Sequence, residues 1–217
     1  MLILFNKMAL KQGNKTLDSS TEDKIKAAAK TVFHKKGYSA TRTRDIAEEA
    51  NINLALLNYY FRSKENLFQV IMLETIQTFF KSLTDVFNDT NTSFEEKVEL
   101  LAERYIDVLL ANPEIPVFIL NELRNQPEEL LSKIGVKEIL MKSEFLKQFQ
   151  QNIIEKKIKQ INPMHFIMNI MGMIVFPFIA KPMLKGLGDI GDEQFLLLMQ
   201  ERKSLIPRWI IGALKNN

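Results

Sequence analysis

Between residues 41 and 64 the chain reads TRTRDIAEEANINLALLNYYFRSK. The groups concentrated there suit charge and hydrogen bonding rather than covalent chemistry. Arg42, Arg44, Arg62 and Lys64 bring cations, Asn58 an amide, Tyr59 a phenol, and Ala55 almost no side chain at all. Small and amide side chains let a helix approach base edges in a DNA groove, while cations and hydroxyls around it hold phosphates.

Two short helices would position these groups. In the first, Ile46, Ala47 and Ala50 make a narrow apolar stripe. Asn51-Ile52-Asn53 breaks it, with Asn53 placed to cap the next helix and Ile52 to tuck inward. In LALLNYYF, Leu57 and Phe61 lie four apart and face inward with Tyr60 near them, which turns Ala55, Asn58, Tyr59 and Arg62 outward. Two helices, a short turn and an exposed second helix are the parts of a helix-turn-helix. An ordinary helical hairpin has the same spacing.

Other chemistries find less support. The 217 residues include no Cys, which removes disulfides, thiol redox sensing and thiolate metal sites. With His34 and His165 alone, no dedicated zinc site is expected. The chain carries neither a Gly-rich phosphate loop nor an HExxH motif, and its carboxylates are scattered, so no enzyme and no cofactor is expected. Eight Gly, seven Pro and little β-branched alternation favour an all-α fold. Charge is uneven: residues 1–64 hold twelve Lys/Arg and six Asp/Glu, a net of +6, leaving −3 for the rest. A basic N-terminal part on an acidic body suits a nucleic-acid binder.

The stretch GYSATRTRDIAEEANINLALLNYYFRSKENLF resembles the N-terminal signature of the tetracycline-repressor (TetR/AcrR) family of transcriptional regulators. The likeness lies in Gly37-Tyr38, Thr43-Arg44-Asp45-Ile46-Ala47, Tyr59-Tyr60-Phe61 and Ser63-Lys64-Glu65-Asn66-Leu67, and it runs from about residue 22 to 70. The chain departs from the family pattern at Asn51 (usually Gly), Leu54 (often polar or basic) and Asn58 (often Tyr). The resemblance implies a three-helix DNA-binding domain followed by a helical domain that encloses a small-molecule pocket and dimerises through its last two long helices. It implies DNA contacts at Thr43, Arg44, Asn53, Leu54, Ala55, Asn58, Tyr59, Tyr60 and Lys64. Thr43, Tyr59 and Lys64 would hold phosphates; Leu54, Ala55 and Asn58 would approach bases; Arg44 could do either. Family pocket residues vary too widely to carry over. From the Phe and Met content, the pocket candidates are Phe118, Met141, Phe145, Met168 and Met171.

Along the chain, residues 1–20 read as a flexible start without the basic, long apolar pattern of a signal peptide, and Met8 is an alternative first residue. In this start, Lys11 and Lys15 could reach phosphates. The DNA-binding domain is placed at residues 21–66, with its first helix running from Thr21 to a stop at Gly37, and the ligand and dimerisation domain at residues 67–217. A long helix is expected from Ser63 to about Asn88, a Ser93–Glu96 capping box opening a helix to Ala111, and a shorter helix over about 114–125. Glu138–Lys159 reads as an amphipathic stretch with Phe145, Phe149, Ile153 and Ile154 inside. Residues 160–180 carry no charge over 21 positions, long enough to span a bilayer, but polar residues and prolines make a core or interface helix the better reading. Gly186, Gly188 and Gly191 mark a loop before a last helix over about 192–214.

The expected protein is therefore a cytoplasmic homodimer that binds an operator and is released from it by a small effector. The competing reading is a non-enzymatic ligand-binding or scaffolding protein whose helix-turn-helix no longer binds DNA. The apolar Leu54 and Leu56 are its only support.

Overall fold

The helices begin and end where local chemistry tells them to. The computed structural model describes residues 2–125 and 127–215, with side chains from Ser20 onward and Val136 left aside. Its helices are α1 (Leu2–Ala40), α2 (Thr43–Glu49), α3 (Leu54–Phe61), α4 (Lys64–Asn88), α5 (Phe94–Ala111) and α6 (Ile115–Asn125). They continue with α7 (Pro127–Ile134), α8 (Val136–Met141), α9 (Glu144–Ile154), α10 (Pro163–Ile179), α11 (Lys181–Gly188) and α12 (Asp192–Leu214). The fold is all-α, with a helix-turn-helix domain followed by a helical body. Among the described residues the only strand-like pairing is an isolated bridge between Ile158 and Lys215.

The chain divides into two compact units, Met1–Glu74 and Thr75–Asn217, and the division falls inside α4. In the first unit, Ile25, Ala28, Ala29, Val32 and Phe33 of α1 are buried together with Ile46, Ala47, Leu57, Phe61, Leu67 and Ile71. The helical backbone of α1 begins upstream of Thr21, at Leu2, in a segment that contains no proline. Lys11 and Lys15 lie among the side chains outside the described set. Gly37 interrupts α1 with φ 74°, a left-handed backbone that costs glycine little, so the expected stop is a kink.

In the second unit α5 lies against α9, α10 and α12. The Ser93 hydroxyl accepts from the Glu96 N–H at 3.2 Å, and the Glu96 carboxylate accepts from the Ser93 N–H at 2.7 Å, which is the expected capping box. Lys97, 0% exposed, donates to the Asp89 carbonyl at 2.6 Å and to the Thr92 carbonyl and hydroxyl at 2.6 and 2.7 Å, so the 89–93 loop is built around a buried ammonium. Phe87, Phe94, Phe145, Phe149 and Phe166 form one aromatic cluster with ring centroids 5.0–5.8 Å apart.

Two expectations change here. The amphipathic Glu138–Lys159 stretch is divided between α8 and α9. Ser143 stops α8 and caps α9, its hydroxyl accepting from the Leu146 N–H at 3.2 Å, and α9 ends at Ile154, which is exposed rather than inside. A serine followed by an acidic first turn is a start signal, and here it overrides the apolar period. Gly186 and Gly188 belong to α11, and the turn comes at Asp189 (φ 47°).

Pro177 lies inside α10 and has no N–H, so the Met173 carbonyl loses its intrahelical donor. Arg202 of α12 supplies one: its Nη2 donates to that carbonyl at 2.7 Å, and its guanidinium lies 5.5 Å from the Trp209 ring centroid. Burial pulls the Arg202 pKa below its ordinary value. Arg202→Ala should lower stability by about 1–3 kcal/mol, the cost of an unsatisfied carbonyl. In a Pro177→Ala background, where the helix can satisfy Met173 itself, the loss should be much smaller. Urea unfolding of the four proteins measures the coupling, and equal losses in both backgrounds would contradict this role.

Candidate nucleic-acid interface

The turn between α2 and α3 closes by backbone hydrogen bonds. The Ile52 N–H donates to the Ala47 carbonyl at 3.0 Å and the Asn51 N–H to the Glu48 carbonyl at 3.0 Å, the paired bonds of a Schellman ending. Asn51 takes φ 50°, the left-handed state that glycine fills most easily and asparagine tolerates best among the other residues. The Asn51 departure from the family pattern is thus a change of residue without a change of turn. Asn53 then caps α3, its Oδ1 accepting from the Leu56 N–H at 2.7 Å.

Leu57 (0% exposed) and Phe61 (6%) are buried. This turns Ala55, Asn58, Tyr59 and Arg62 to the surface, as their spacing predicts, with Tyr59 75% exposed and edge-on to Tyr60 at 5.4 Å. Leu54, Leu56 and Tyr60 are half-buried. The two leucines therefore rest partly against the domain, and they give the non-binding alternative little support.

At the start of α2, Arg44 is exposed and Thr43 half-buried. The Arg42 N–H donates to Asp45 at 2.9 Å, and Lys36 pairs with the same carboxylate at 3.0 Å. Together they hold the Asp45 carboxyl below the usual range. A depressed carboxylate stabilises this cap above its unfolded pKa, and that contribution is lost as pH falls through the folded value.

Lys64, a phosphate contact by the resemblance, has partners within the domain. Its ammonium donates to the Tyr38 carbonyl at 3.0 Å and the Thr41 carbonyl at 3.1 Å, and lies 4.3 Å from the Tyr38 ring centroid. Sequence reading missed this role because nothing local links residue 64 to a corner more than twenty residues earlier.

The effector candidates do not form a set. Phe145 is inside the aromatic cluster and Phe118 is buried, whereas Met141, Met168 and Met171 are exposed. Helical periodicity identifies an apolar side chain, but it does not distinguish a core from an uncovered face. In the first unit, an open groove of about 420 Å³ is lined by Val32, Lys35, Lys36, Asp45, Glu48 and Glu49, mixed in charge and unlike an apolar effector site. Among the described residues no group of three or more His, Asp or Glu could hold a metal ion.

A helix-turn-helix with an exposed, amide- and phenol-bearing second helix is the arrangement that DNA-binding regulators use. Residues 25–71 match the family model for bacterial regulatory proteins of the tetR family. The chain is 29% identical over 168 residues to the probable HTH-type transcriptional regulator YttP of Bacillus subtilis, covering 74% of this chain and 78% of that one. It is 31% identical over 117 residues to IcaR of Staphylococcus aureus, the HTH-type negative transcriptional regulator of the biofilm operon icaADBC, covering 52% of this chain and 59% of IcaR. Its fold is that of a TetR/AcrR-family transcriptional regulator from Thermobifida fusca, with a TM-score of 0.68, 17% identity, and 90% and 98% of the two chains covered. Residues 25–71 thus carry the DNA-binding domain of tetR-family bacterial regulatory proteins, and over most of its length the chain is similar to DNA-binding transcriptional regulators.

The turn makes its own prediction. Asn51→Gly should leave stability unchanged within a few tenths of a kcal/mol, whereas Asn51→Val, β-branched at positive φ, should cost roughly 1–2 kcal/mol. Thermal unfolding of the two variants measures this, and equal behaviour would mean that the turn does not need the left-handed state.

Proposed function

We propose that this regulator is a repressor that works in the cytoplasm as a homodimer and is released from its operator by a small apolar effector. The observation that carries the reading is the outward face of α3. Ala55 and Asn58 approach base edges, and Tyr59, Thr43 and Arg44 hold the phosphates on either side. The effector acts in the helical body, on the part of α4 that lies in the second unit. Two contacts there support this: Gln77 donates to the Lys133 carbonyl of α7 at 2.9 Å, and Arg104 of α5 donates to the Ser82 carbonyl at 2.9 Å. An effector that rearranges α5 or α7 therefore pulls on α4. The two recognition helices of the dimer must fit half-sites about one helical turn apart or a multiple of it, and a shift of α4 alters that fit. IcaR is named as a negative regulator, which favours repression here.

Dimerisation through α10 and α12 is supported by the apolar residues these helices leave uncovered, Met164, Met168, Met171 and Phe176 on α10 and Leu197 and Trp209 on α12. Among the described residues no single helix is long and apolar enough to cross a membrane, and α10 and α11 are bent by 74° at their junction. A subunit interface accounts for the uncharged stretch. Met168→Lys, at an exposed position that tolerates the charge in a monomer, should shift sedimentation from dimer to monomer at micromolar concentration. A wild-type protein that is already monomeric there would sink the interface.

Base reading and phosphate holding separate by mutation. Asn58→Ala should cost roughly 1–3 kcal/mol on the cognate operator and much less on random DNA. Tyr59→Phe should cost about 1 kcal/mol on every sequence alike. Binding of both variants to a panel of operator sequences at one fixed salt concentration tests the roles. The opposite pattern would mean that α3 docks in a different rotation, and no effect from either would remove α3 from the interface.

A further inference from the structure

α1 ends badly on its own. Its last carbonyls lack intrahelical donors, Gly37 breaks the helical run, and its last turn contains no basic residue to meet the negative end of the helix dipole. The missing partners come from within this corner and from the first turn of α4. The Thr41 hydroxyl, on a residue only 2% exposed, donates to the Gly37 carbonyl at 2.7 Å. Lys64 donates to the Tyr38 and Thr41 carbonyls and covers the Tyr38 ring. The Tyr38 hydroxyl donates to Glu65 at 3.1 Å, and its ring packs on Phe68 at 4.5 Å, with Phe33 completing the cluster at 5.3 Å from Phe68. Three residues of one α4 turn, Lys64, Glu65 and Phe68, thus grip Tyr38, and Lys64 also grips Thr41. Arg42, Thr43 and Arg44 follow immediately in the chain.

We propose that Lys64 is a positioning residue: its ammonium latches the corner between α1 and α2 to the start of α4, so that the N-terminus of α2 is carried by α4 rather than by a DNA phosphate at residue 64. This rests on the reading of the domain as a DNA reader and deepens it. A displacement of α4 then reaches Thr43 and Arg44 through Lys64, in addition to any change in the separation of the two α3 helices. Exposed lysines hold phosphates as mobile point charges. The Lys64 ammonium is instead half-buried, with two carbonyls and a ring face as neighbours.

Two measurements test it on the full-length protein. In the DNA-free protein, the NMR signals of the Lys64 ε-methylene should be shifted upfield by the Tyr38 ring, and Tyr38→Leu should return them to ordinary positions. Lys64→Met should then lower operator affinity on the order of tenfold at every salt concentration, with the slope of log affinity against log salt unchanged. Ordinary Lys64 shifts in the free wild-type protein would overturn the latch, as would a slope reduced by about 0.9 for each lost contact. The NMR arm stands even if Lys64→Met does not fold. If the wild-type protein binds no DNA at all, the regulator reading fails while the Lys64 shifts still decide the latch.

Discussion

The rotation of α3 about its own axis is set by two side chains. Leu57 and Phe61, one turn apart, are buried with the apolar stripe of α1 and with Leu67 and Ile71 of α4. Removing either would cost on the order of 2–5 kcal/mol, a large share of the stability of a small domain. Once they are inside, the residues on the other side of the helix have no choice of direction, and Ala55, Asn58, Tyr59 and Arg62 are presented together. The turn before α3 and the cap at Asn53 hold the entry angle of the helix. A prepaid geometry of this kind lets contact energy appear as affinity instead of being spent on ordering.

The body meets its polar obligations through long cations that reach backbone oxygens. Lys97 fixes the loop before α5, Arg202 completes the carbonyl that Pro177 leaves without a donor, and the Lys159 ammonium donates to the Ala213 carbonyl at 3.4 Å at the end of α12. In each case a local defect, a loop, a proline or a helix end, is satisfied by a residue distant in sequence or one turn away. These bonds specify which helices lie side by side more sharply than apolar contact does, because an unsatisfied carbonyl penalises any other arrangement.

The sequence made the local features legible. The α2–α3 turn, the Asn53 cap, the Ser93–Glu96 capping box, the inward pair on α3 and the span of α12 each depend on residues within a few positions of one another, where spacing and chemistry suffice. It was less informative wherever a side chain chooses between distant partners. Lys64 resembles a phosphate ligand in the motif and becomes a clamp only when the corner at Tyr38–Thr41 folds back upon it. Met141, Met168 and Met171 read as pocket lining, yet they lie at the surface, because helical period marks an apolar side chain without saying what covers it.

In the proposed function, the Asn58 face of α3 enters the major groove of a two-fold operator. The chain has no cysteine, so Asn58→Cys creates a single attachment point per subunit. An iron chelate tethered there and activated on the bound operator cuts nearby DNA sugars and reports where the helix lies. With α3 in the groove, the cuts should fall in two clusters, each flanking one major groove, with centres one helical turn or a whole multiple of it apart. Cuts centred on a minor groove, or no cuts from this position while a chelate at Glu48→Cys on α2 gives strong ones, would contradict it.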